Sequence, residues 1–167
     1  MRLAALALIV AAFALAALNS VARAKRRARL LEALCASLEL LRGEVVTRLT
    51  PLPDCAALLS RTGPGECREF YASLGLAMDS LGELEFSRLW EACVSALELG
   101  EEAQSALADL GRSLGRYAAA EQGAAIDRCL ARLGPLAARE REGLRDSARL
   151  KLGLGLSAGL LLAVILY

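Results

Sequence analysis

LGRSLGRYAAAEQGAAIDRCLARLGPLAAREREGLRDSARLKLGLGLSAGLLLAVILY, residues 110–167, is the stretch that decides the fold. It opens on two Leu-Gly steps and continues as a charged, helix-forming segment. Without any loop signal it then becomes an uncharged apolar tail from Leu152 to Tyr167. Ile126, Leu130, Leu133, Leu136 and Ala137 recur at three- and four-residue intervals, which marks one apolar helix face. Arg128, Arg132, Arg139, Glu140 and Glu142 fall mostly on the wet side. The pattern predicts a helix that packs on a soluble bundle and then enters a membrane, either unbroken or kinked near Gly134-Pro135. Pro135 lacks an N–H, and its ring crowds the carbonyl four residues back.

Working back from there, apolar periodicity predicts further helices. One runs over about 24–49, with Leu31, Leu34, Leu38, Leu41 and Val45 on a single face. Thr50-Pro51 ends it and starts a short second helix, with Thr50 as N-cap and Pro51 at the first helical position. Thr62-Gly63-Pro64-Gly65 is the clearest break in the chain. A third helix covers about 66–81, a fourth about 85–97 and a fifth about 101–114. Aromatics make up only 4% of the chain, so Phe70 and Trp90 are the expected core anchors. Gly111 and Gly115 either permit close helix contact or turn the chain toward the last helix. Leu, Ala, Glu and Arg dominate while β-branched residues are scarce, so the fold class is all-α. The expectation is an antiparallel helical bundle of five to six helices, flanked by N- and C-terminal transmembrane helices.

A net charge of +1 hides an uneven distribution. Residues 23–48 hold seven basic and three acidic side chains, residues 54–109 three and eleven, and residues 112–151 nine and five. Two basic blocks thus adjoin the apolar ends, with an acidic block between them. Such an order suits a domain whose ends meet an anionic bilayer while its middle projects away. Nucleic-acid binding is not indicated, because the basic residues lack aromatic stacking partners and a recognition motif.

Leu3 to Leu18 forms the first apolar run. Ala22-Arg23-Ala24 offers a cleavage-like triplet, so an exported protein with a cleaved signal peptide is the alternative reading. Lys25, Arg26, Arg27 and Arg29 argue instead for an anchor whose following domain is cytoplasmic. Arg139, Arg141, Arg145, Arg149 and Lys151 flank the second run in the same way. The expected division is a membrane anchor over 1–22, a cytoplasmic helical bundle over 23–151 and a membrane helix over 152–167. That last segment would be about 24 Å long against a hydrocarbon core of about 30 Å, so spanning needs thinning or snorkelling. Gly155, Gly159 and Ala163 share one face at four-residue spacing and would let another membrane helix approach closely.

Chemistry-bearing patterns are few. The chain contains no histidine, the commonest general base and metal ligand. Its five cysteines, at 35, 55, 67, 93 and 129, form no CxxC pair and lie on apolar helix faces, which suits buried thiols. No phosphate-binding glycine loop is present, and no cofactor or small-molecule substrate is expected. An enzyme built from dispersed carboxylates stays a weaker alternative, because nothing in the sequence groups partners around them. Partner contact is expected from the acidic block, at Glu83 and Glu85 before the fourth helix and Glu101 and Glu102 at the start of the fifth. Complementary charge there would steer a cytoplasmic protein.

Leu110-Gly111, Leu114-Gly115 and Gln122, with Glu44-Val45, Thr50-Pro51-Leu52 and Trp90 upstream, resemble the stage III sporulation protein AB family of endospore-forming bacteria. The resemblance covers the whole chain in order and spacing. It departs at Ala118, where the family usually has an Asp four residues before the Gln, a residue that would cap the last helix. The resemblance implies a mother-cell membrane component, facing the forespore, of the complex that joins the two cells. It further implies a soluble domain similar to the cytoplasmic domains of type II secretion and type IV pilus platforms. Implied partners are the ATPase of the complex, stage III sporulation protein AA, with other membrane subunits and membrane lipids. On that reading the protein is a non-catalytic scaffold that couples the ATPase to the membrane subunits.

Overall fold

The computed structural model describes the backbone of residues 2–80 and 84–166 and the side chains of 19–79 and 84–144. Its order is α1 (Arg2–Arg42), a π-helical turn (Gly43–Arg48), α2 (Leu52–Thr62), α3 (Gly65–Ala77), a 3-10 turn (Met78–Ser80), α4 (Phe86–Ser95), α5 (Glu101–Ser113) and α6 (Ala119–Leu166). Among the described residues there is no strand element, so the chain is all-α as its composition requires. Two compact units result. One is Arg29–Ala137; the other combines the terminal stretches Met1–Ala28 and Ala138–Tyr167.

In the Arg29–Ala137 unit, α2 packs on α3, α3 on α4, and α4 on α5. Against them lie the apolar face of α1 and that of α6. Leu34, Leu38, Leu59, Leu107, Ile126 and Leu133 are each 1% exposed or less, so every expected helix face contributes to one core. α1 and α6 run antiparallel here. Asp127 bonds Arg42 at 2.7 Å, and one turn earlier on α6 a side chain on Gly123 would meet Val46, in the π-helical turn that continues α1. Phe70 and Trp90 are buried as expected, ring edge to ring face with centroids 5.3 Å apart. Tyr71 is sealed beside them and donates its hydroxyl to Ser37, which in turn donates to the Leu34 carbonyl.

Gly111 and Gly115 divide the two tasks expected of them. At Gly111 a Cβ would lie 2.2 Å from Trp90 Cδ1, so only glycine lets the indole ring lie against α5. Trp90 then donates its ring N–H to the Leu107 carbonyl at 2.8 Å. Gly115, with φ of 77°, turns the chain into α6. Pro135 lies inside α6 without ending it. Pro135 and Ala131 are both exposed, so water can satisfy the carbonyl the proline leaves without a donor.

In the unit made of the terminal stretches, Arg27 and Glu140 form an ion pair at 3.5 Å. Among the described residues no helix is long and apolar enough to cross a membrane. The apolar runs at 3–18 and 152–167, with the Gly155, Gly159 and Ala163 row, have side chains outside the described residues.

Candidate functional site

The turn between α1 and α2 departs most from local preference. α1 passes into the π-helical turn, and the Glu44 carbonyl receives the N–H of Leu49 and, at 3.0 Å, that of Thr50. Leu49 closes the turn in the left-handed region, with φ of 55° and ψ of 33°. Helices often end on such a residue, but it is usually glycine, and a side chain there costs about 1–2 kcal/mol. Burial does not offset that cost, because Leu49 is 69% exposed.

Thr50 does not cap α2 as the sequence suggested. Its hydroxyl turns back to the Glu44 carboxylate at 2.8 Å, and the residue at the cap position is Pro51. The physical reason lies in Glu44, whose side chain is only 12% exposed and which Arg48 also contacts at 2.5 Å. A mostly buried carboxylate needs donors more than the exposed start of α2 needs an acceptor.

This turn faces the loop from α5 to α6. Gln122 braces that loop: its Oε1 accepts the Gly115 N–H at 3.3 Å and its Nε2 donates to the Tyr117 carbonyl at 2.7 Å. Where a capping Asp is missing at Ala118, Gln122 thus holds the start of α6 from the following turn. Between the two loops lies an open groove of about 390 Å³. Val45, Leu49, Pro51, Leu52, Phe86 and Gln122 supply most of its wall, and none of its lining residues is charged. A second cleft, of about 310 Å³, separates α5 from α6. There Asp109 takes Arg132 at 2.6 Å and also Arg112. The Arg132 hydrogen bond, more than any other contact, holds the Asp109 carboxyl below the usual carboxylate range.

The structure separates the expected contact residues. Glu83 lies outside the described residues. Glu85 is exposed at the start of α4, next to groove-lining Phe86. α4 and α5 run antiparallel: Trp90 meets Leu107 and Gly111, while Leu97 accepts from Gln104. Glu101 and Glu102, exposed in the first turn of α5, therefore sit at the other end of the pair, about 15 Å from Glu85. Sequence reasoning missed Leu49 as a site residue. Its one available signal was an apolar side chain between a helix end and Thr50-Pro51.

All five cysteines are free. Burial pushes the Cys55 and Cys67 thiols up to about 11 and Cys129 to about 12, and raises Cys35 and Cys93 as well. Such thiols are poor nucleophiles at neutral pH. Among the described residues no three side chains are placed to hold a metal ion.

The sequence model of one family, stage III sporulation protein AB, matches residues 2–167. No curated protein and no solved structure matches the chain.

Proposed function

The chain belongs to the stage III sporulation protein AB family, and from that premise we propose that it is a non-catalytic, membrane-anchored scaffold of the stage III complex linking mother cell and forespore. Its helical bundle would engage the cytoplasmic ATPase, stage III sporulation protein AA, while its apolar ends engage membrane lipids and other membrane subunits. Membership itself makes the chain a stage III sporulation protein; the scaffold role, the partners and the location are the proposal.

One observation carries it. The residues on which the family resemblance rests converge on structural work around one groove and the crossing beside it. Glu44 and Thr50 bond each other, Gln122 braces Gly115 and Tyr117, and Gly111 accommodates Trp90. Their polar groups are bound to neighbouring backbone or to one another, so they shape a surface instead of presenting groups to a reacting molecule.

Thiol labelling tests the topology. The raised thiols of Cys55, Cys67 and Cys129 should stay silent, so Cys35→Ala and Cys93→Ala give a quiet background. Gly65 is exposed, with open space where a Cβ would go. Gly65→Cys should react with an impermeant reagent only after lysis, whereas Arg2→Cys and Tyr167→Cys should react in intact cells. Labelling of Gly65→Cys in intact cells would end the scaffold reading. Coupling is tested by co-purification of the ATPase with the full chain. Glu85→Lys should weaken that association and its salt dependence, while leaving folding nearly unchanged.

A further inference from the structure

We propose that the groove at the α1–α2 turn is a docking site for a partner protein's helix that carries apolar anchors flanked by lysine or arginine, with Leu49 as the central contact. The proposal goes beyond the scaffold reading and depends on neither its membrane nor its ATPase component.

Leu49 breaks two rules at once. Its backbone occupies a conformation that glycine adopts without strain, and its side chain is the second most exposed of the large hydrophobics described, after Leu76. Neither the turn nor the core therefore accounts for a leucine at this position. Strain persists where the surroundings over-determine it, and it clusters at binding sites. Here the π-helical turn, the two N–H groups on the Glu44 carbonyl and the Thr50–Glu44 bond impose the backbone. π-Turns themselves recur at functional positions. The side chain so displayed forms part of an uncharged wall beside Val45, Leu52 and Phe86. The groove, at about 390 Å³, has room for two or three apolar side chains but not for a folded loop.

Charge identifies the occupant. Asp54, Glu85 and Glu121 are exposed, each is the chain neighbour of a groove-lining residue, and none forms an ion pair among the described residues. Arg48 is neutralised by Glu44. Arg116, beside Gly115, is the one neighbouring cation without such a pair among the described residues. The exposed residues that flank the lining in sequence are therefore net acidic, around a wall that carries no charge. That arrangement repels an anionic lipid surface and an acidic peptide, and it favours an apolar helix with basic flanks.

The test uses the full chain in nanodiscs of zwitterionic lipid, with empty nanodiscs as background. Two fluorescein-labelled synthetic helices are titrated, one of leucine and lysine and one of the same pattern with glutamate for lysine. The lysine helix should bind and the glutamate helix should not. Leu49→Gly should weaken lysine-helix binding by about 10-fold or more, with a thermal midpoint equal to or above that of the parent. Leu49→Met, which keeps an apolar side chain, should retain binding. Asp54→Lys with Glu121→Lys should shift preference toward the glutamate helix. Leu76→Ala, at an exposed leucine on α3, should change nothing. Equal binding of both helices, equal loss in Leu76→Ala, or undiminished binding by Leu49→Gly would each overturn the proposal. A lowered midpoint in Leu49→Gly would assign Leu49 to stability instead. Self-association of the chain that Leu49→Gly abolishes, with no preference between the helices, would make a second copy the occupant and overturn it too.

Discussion

At the α4–α5 crossing and at the α1–α2 turn the chain meets demanding geometry in opposite ways. Gly111 gives up its side chain so that the indole of Trp90 can lie against the helix. Leu49 keeps its side chain although the backbone there suits glycine. In the first case packing selects the residue, because the core admits no alternative. In the second, neither packing nor backbone selects it, which points outside the isolated chain. A glycine and a leucine that look equally ordinary in sequence thus report different things: one is fixed by the fold, the other by what the fold meets.

The largest effect should come from breaking the first solution. Gly111→Ala puts a methyl within 2.2 Å of the indole. Trp90 must then leave its place and its bond to Leu107, which should cost about 3 kcal/mol or more in denaturant unfolding. A red shift of tryptophan fluorescence should accompany it, and Trp90 is the only tryptophan in the chain. A fully retained stability and spectrum would show that the crossing tolerates a side chain and remove the contrast. Second comes Ser37→Ala, which leaves the sealed Tyr71 hydroxyl without its acceptor and should cost about 1–3 kcal/mol. Adding Tyr71→Phe should recover much of that loss, and strict additivity of the two changes would show that the pair is not coupled.

Third, and opposite in sign, Leu49→Gly should stabilise the isolated protein by up to about 1 kcal/mol, visible as a thermal midpoint raised by a few degrees. A large destabilisation would place Leu49 in the same class as the core. The smallest effect belongs to Asp109. Its folded carboxyl titrates lower than it does unfolded, so the stability it lends is present above the ordinary carboxylate range and lost as pH falls through the depressed folded value. Asp109→Asn should therefore lower the melting point slightly at about pH 7 and not at about pH 2. Because the group is exposed and screened, the difference should be small and should shrink in salt.

How legible this fold was in the sequence depended on whether a residue's task was local. Helices α2 to α5 begin and end within a few residues of their periodic patterns, because each buries one apolar face. Phe70 and Trp90 were readable as anchors because large aromatics are scarce here. α1 was harder. Its apolar beginning and its amphipathic continuation read as an anchor and a separate helix, yet the helix assignment runs from Arg2 to Arg42. Thr50 was misread because a Thr-Pro step looks like the start of a helix, and nothing local reveals that Glu44 needs its hydroxyl more. Gln122 was seen only as part of a resemblance. Its double bond to the Gly115–Tyr117 loop depends on the left-handed turn at Gly115, which no periodicity displays. The separation of Glu85 from Glu101 and Glu102 follows from an elementary point: consecutive turns of an antiparallel bundle lie at opposite ends.

The pairing of α1 with α6 has a consequence for how the protein is made. Ser37 meets Tyr71, 34 residues on, whereas Arg42 meets Asp127, 85 residues on. α2 to α5 pair with sequence neighbours and can form as they leave the ribosome. The first helix cannot complete its apolar seam until the last one arrives. At ordinary rates of synthesis that interval is on the order of ten seconds. For its duration Leu34, Leu38 and Leu41 are only partly covered, and they form a temporary adhesive surface on a chain that already carries the apolar run at 3–18. Early delivery of that run to a lipid surface, or a chaperone on the nascent chain, would keep the seam apart until Ile126 and Leu133 close it.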